Sequence, residues 1–118
     1  MTIGLADSVK LLRPAIEREG DTTVEFVLSG IKRGEFQLWR GKESAIVTKM
    51  VNVGVGGHLI WIFAGGNLEE IRDKMKPEIE NWAKDQGCIR ATMTARRGWS
   101  KALPDYQQRK QVVLTKEL

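Results

Sequence analysis

The 118-residue sequence predicts an α+β domain: a mixed, mostly antiparallel sheet flanked by helices, with a strand–helix–strand crossover over 57–64, 67–86 and 88–94. Three observations predict it. Residues 35–64 alternate with a period of two and are rich in β-branched side chains. The segments before and after, 5–33 and 67–86, place apolar residues at helical spacing. The second of these helical segments separates two apolar strands, the arrangement that a parallel pair in one sheet requires.

Leu5, Val9, Leu12 and Ile16 fall on one helical face, and Pro14 interrupts them, which predicts a short or kinked first helix. Val24, Val27, Leu28 and Ile31 share the face of a second helix over 22–33, with Asp21 or Thr22 as its cap and Gly34 at its exit. Strands are expected at 35–40, 43–53 and 57–64, joined by turns at Gly41-Lys42 and at Gly54 to Gly57 into an antiparallel meander. Leu68, Ile71, Met75, Ile79 and Trp82 then mark a helix closed by Gly87, with a break at Pro77. "CIRATMTA" reads as a strand, "RGWSKALPDY" as a short helix or turn, and "KQVVLTKEL" as a final strand. With no repeat or linker between them, residues 1–118 form a single domain.

Hydrophobic content of 42% and charged content of 29% are those of an ordinary globular chain. No apolar run is long enough to span a membrane, and "MTIGLADSVKLLRP" lacks the pattern of a secretory signal, so no membrane partner and no secretion by a signal peptide are expected. Cys88 is the only cysteine, which fits a reducing compartment. Charge is uneven. Residues 1–83 carry 11 Lys and Arg against 12 Asp and Glu, whereas residues 84–118 carry 8 against 3. This basic C-terminal third is either a solvated surface or a surface for nucleic acid or an acidic partner.

The stretch "WIFAGGNLEEI" joins a strand to a helix through Gly65 and Gly66. Such a junction can hold phosphate on helix N–H groups. Asn67 followed by Glu70 is a capping-box spacing, and Glu69 and Glu70 complement the helix dipole, which reads as architecture. In "ARRGWSKALP", Arg96 and Arg97 can grip phosphate and Trp99 can stack on a base; equally, Trp99 can bury against the sheet. Trp39, Trp61 and Trp82 fit core faces. His58 and Cys88 have no companions at ligand spacing, so no metal site is expected, and Glu35 and Glu43 form no catalytic pair or triad.

The element order, with "IFAGGNLEEI", "WAKDQGCIRATMT" and "RRGWSKALPDYQQRKQVVLTKEL", resembles the GNAT superfamily of acyl-CoA-dependent N-acetyltransferases over residues 21–118. It is similar in particular to small GNAT-like proteins of tailed phages and prophages. The resemblance implies that the strand before the main helix splays from the next one, with acyl-CoA in the gap and its pyrophosphate on a glycine loop. That loop falls on Gly65, Gly66 and Asn67, without the family's Gln or Arg and spaced glycines. The family's thiolate acid, often a Tyr, falls on Tyr106. The expectation is a non-catalytic accessory or virion-associated protein with a degenerate site and no cofactor, in host cytoplasm or virion, whose partners are other phage proteins. The alternatives are an active N-acetyltransferase using acetyl-CoA and a nucleic-acid-binding accessory protein.

Overall fold

The computed structural model describes residues 1–94, 98–109 and 113–118. Its elements run α1 (Leu5–Glu19), α2 (Val24–Arg33), β1 (Phe36–Arg40), β2 (Ser44–Asn52), β3 (Gly57–Gly66), α3 (Leu68–Glu70), a π-helical turn (Ile71–Met75), α4 (Lys76–Asp85), β4 (Cys88–Met93) and α5 (Gly98–Ala102). The sheet has the order β1-β2-β3-β4. β1, β2 and β3 pair antiparallel as a meander, and β3 and β4 pair parallel across the helical crossover. The α+β class, the meander and the parallel crossover therefore stand as the sequence predicts.

Each face of the sheet carries its own core. On one face, α1 and α2 bring Leu12, Ile16 and Val27 against Ala45, Val47 and Phe63. On the other, the helical crossover brings Ile71, Met75, Ile79 and Ala83 against Ile46, Leu59 and Trp61. Alternation along β2 explains why Ala45 and Val47 serve one core and Ile46 the other. In β3 the alternation breaks. Thr48 pairs with Trp61 and Val47 with Phe63, so Ile62 is an extra residue, a β-bulge. That one residue sends Phe63 to the face opposite Trp61.

Several local expectations need correction. α1 is not short: it continues past Pro14 to Glu19, because Leu12 and Ile16 are buried on both sides of the proline and outweigh one missing hydrogen bond. Thr23, rather than Asp21 or Thr22, caps α2, accepting the N–H of Phe26 at 3.1 Å. Gly34 ends it in a left-handed conformation at φ 82°, its N–H returning to the carbonyls of Gly30 and Ile31. The break expected at Pro77 lies just before it. Lys76 N–H reaches the Ile71 carbonyl five residues back, and the wider π turn brings the chain to Pro77 at the start of α4, where a missing N–H costs least. The final strand over 110–118 is absent from 113–118, which has no regular structure; 110–112 lie outside the described residues.

Candidate functional site: the gap between two strands

β3 and β4 part at the bulge. Their last paired residues are Trp61 and Met93; beyond them β4 ends, while β3 continues with β2 to Gly66. A cleft of about 70 Å³ fills the gap. Trp61, Phe63 and Ala64 of β3 line it, with Met93 and Thr94 opposite and Trp99 of α5 beside them. The last turn of α1 adds Ala15, Arg18 and Glu19. The lining thus combines aromatic walls with one exposed cation and one exposed carboxylate. Trp61 is buried, and its indole N–H has no hydrogen-bond acceptor among the described residues.

The glycine turn lies just past this gap and is filled by the chain itself. A Cβ on Gly65 would collide with the Leu11 carbonyl oxygen of α1, and one on Gly66 would collide with the Glu43 carbonyl oxygen. These glycines admit close backbone contact within the fold. Asn67 caps α3: its Oδ1 accepts the Glu70 N–H at 3.0 Å, its own N–H donates to Ser44 Oγ at 3.0 Å, and its Nδ2 donates to Glu43 Oε2 at 3.2 Å.

Only half of the expected capping box forms. The Glu70 carboxylate does not return to Asn67 but crosses to the β1–β2 turn, accepting the N–H groups of Lys42 at 2.7 Å and Glu43 at 3.0 Å. Gly41 leaves the room, since a Cβ there would meet the carboxylate at 2.7 Å. Partial burial pushes the Glu70 carboxyl up; the nearby Ser44 hydroxyl and the two N–H groups together outweigh it and hold the carboxyl below the usual carboxylate range.

Tyr106 belongs to a different cluster. Its hydroxyl donates to Glu80 Oε2 at 2.7 Å, and its ring meets Trp61 edge-on with centroids 6.4 Å apart. Lys76 Nζ pairs with Asp105 at 2.6 Å and Glu80 at 3.8 Å and lies 5.8 Å from the Tyr106 ring centre. Burial, then the bond to the Glu80 carboxylate, push Tyr106 far above its ordinary value. The group pins the segment after α5 to α4 and stands behind Trp61, outside the residues that line the cleft.

Of the residues singled out in the sequence, Trp99 lines the cleft, Gly65, Gly66 and Asn67 form its far shoulder, and Tyr106 lies behind one wall. Arg96 and Arg97 lie outside the described residues. Arg18 and Glu19 are the cleft residues that sequence reasoning misses. Their signal is a charged pair closing a helix just before Gly20, which alone reads as a solvated end. Among the described residues no three His, Cys, Asp or Glu side chains group as metal ligands, and no helix is long and apolar enough to cross a membrane.

No family model matches the chain, and no curated protein matches it. It is similar in structure to TTHA1254 of Thermus thermophilus. A mutant form of that protein superposes with a TM-score of 0.67 at 16% identity over 97% of this chain and 90% of that one. The wild type gives 0.61 at 17% identity over 97% and 89%. At this identity the likeness establishes a shared fold.

Proposed function

We propose that this chain is a GNAT-like protein of phage or prophage type whose acyl-CoA site is degenerate, and that it serves in host cytoplasm or virion as a non-catalytic accessory or virion-associated binding protein. The occupancy of the β3–α3 turn carries this reading. A pyrophosphate needs open N–H groups and positive potential. At this turn the Leu11 and Glu43 carbonyls fill the space over Gly65 and Gly66, and Asn67 already caps the helix. Glu43, Glu69 and Glu70 add three carboxylates beside it. Each would repel a dianion.

A second reading, an acyl-CoA-dependent N-acyltransferase, is favoured by one observation: the cleft opens where β3 and β4 part, where the resemblance puts an acyl chain. In that case Glu19 is the carboxylate available at the mouth as a base. Isothermal calorimetry with acetyl-CoA separates the two. The first reading expects no heat of binding and co-sedimentation with assembled particles. Micromolar binding would replace it with the second, and DNA binding that weakens steeply with salt would replace both.

A further inference from the structure

The walls of the gap are held unequally. β3 is paired with β2 as far as Gly66 and with β4 as far as Trp61. α1 is anchored by Leu12 and Ile16, both buried against the sheet. Trp99, by contrast, stands on a helix of five residues, too short to keep its shape unaided. In the segment 98–106 that carries it, Leu103 is the one buried side chain among those described, and Trp99 itself is half-buried.

The other described holds on this segment's far end are polar. Lys76 Nζ at the start of α4 pairs with Asp105, and Glu80 one turn on accepts the Tyr106 hydroxyl. Two backbone bonds carry that grip back to the wall. The Tyr106 N–H donates to the Leu103 carbonyl at 3.0 Å, and the Leu103 N–H donates to the Trp99 carbonyl at 2.9 Å. The clasp is weak by its setting. The Asp105 side chain is 57% exposed and that of Glu80 25%, so water can replace either partner at small cost.

We propose that residues 98–106 form a strap over the gap, with Lys76 and Glu80 as its catch. When the catch lets go, the strap lifts as a unit and takes Trp99 out of the lining. A gap of about 70 Å³ has room for a few water molecules, so a larger ligand is enclosed there only if one wall gives way. The strap is that wall, because one leucine and one clasp hold it where strand pairing and a helix core hold the others. Its role in admitting a ligand rests on the gap being a binding site, under either reading above. The opening itself needs no ligand, so a strap that fails to open and a gap that fails to bind are told apart.

Hydrogen exchange of the full chain, followed amide by amide at guanidinium concentrations below the unfolding transition, tests the strap. In the wild type the Leu103 and Tyr106 amides are expected to exchange faster than those of the central strand β2. Their rates should also depend little on denaturant, the mark of an opening smaller than global unfolding. Asp105→Asn and Tyr106→Phe each break one half of the catch and are each expected to speed exchange at positions 103 and 106 about fivefold, still with little dependence on denaturant. Amides at 103 and 106 that follow β2 in both rate and denaturant dependence would overturn the proposal, since the strap would then open only with the whole fold. A local opening that neither substitution accelerates would overturn it as well, because the clasp would not be its catch.

Discussion

The Tyr106 hydroxyl donates a hydrogen bond to the Glu80 carboxylate at 2.7 Å, and so fastens the chain after α5 to the helix beneath the sheet. Tyr106→Phe removes that bond while keeping the ring against Trp61. Glu80 is partly exposed and regains water, so the expected loss is about 1 kcal/mol in denaturant unfolding. Folded Tyr106 holds its proton above the ordinary value of 10, so the bond contributes fully below that pH and is lost as pH rises through the folded value. Wild-type stability should fall on the alkaline side, and the variant's should fall less. If the variant instead keeps its stability and loses an acyl-transfer activity, Tyr106 is a catalytic acid.

Glu70 supplies the acid-side counterpart. Its folded carboxyl titrates below the ordinary value of 4.5, so its contribution is present above that pH and disappears as pH falls through the folded value. Glu70→Gln keeps the shape but weakens two charge-assisted bonds to Lys42 and Glu43. Because the carboxylate is largely solvated, the expected cost near neutral pH is about 1 kcal/mol. The difference between wild type and variant should vanish in acid. A gap that persists unchanged below the carboxylate range would show that the hydrogen bonds are not its source.

Gly65→Ala forces a methyl group into the space that the Leu11 carbonyl oxygen occupies. Neither backbone can yield without lifting α1 from β3. The expected loss is about 2–3 kcal/mol, with faster hydrogen exchange in α1 than in α4. Wild-type unfolding and unchanged exchange would mean that α1 does not cross this glycine.

Trp61→Ala should lower stability by about 3–5 kcal/mol, as a buried large-to-small change. Trp61→Phe should cost less, because it also removes an indole N–H left without an acceptor among the described residues. Trp82 is only half-buried, edge-on to Trp39 with centroids 5.3 Å apart, so Trp82→Ala should cost about 1–2 kcal/mol. Equal losses at Trp61 and Trp82 in urea titrations would contradict the burial of the two rings.

The meander and the crossover are legible in the sequence because period and turn chemistry agree there: alternation between Gly41 and Gly57, then helical spacing up to Gly87. The bulge is not legible. "HLIWIFAGG" is apolar at nearly every position, so the phase change at Ile62 leaves no trace in hydropathy and emerges only from pairing with β2. Asn67 and Glu70 show their capping spacing, but the carboxylate's true partners lie 27 and 28 residues away. Arg18 and Glu19 acquire a role at the cleft only through the packing of α1 across β3. The strand predicted over 110–118 has the right composition, yet a strand exists only by its neighbour, and composition does not name one.

The two seams of the sheet differ in how far along the chain their partners lie. β1, β2 and β3 meet through turns at 41–43 and 53–56, whereas β4 reaches β3 only after 67–87 have been traversed. Local pairings close early and distant ones wait for a larger loop to be ordered. In refolding, amides of β2 should therefore gain protection from pulsed exchange before those of β4. During synthesis the hairpins can form while the chain is still growing, but the gap beside Trp61 acquires its second wall only when Met93 and Trp99 have left the ribosome. A premature stop before that point would release a three-stranded meander with β3 as a raw margin and the indole of Trp61 laid open to water, a species primed for capture by chaperones or by its own kind.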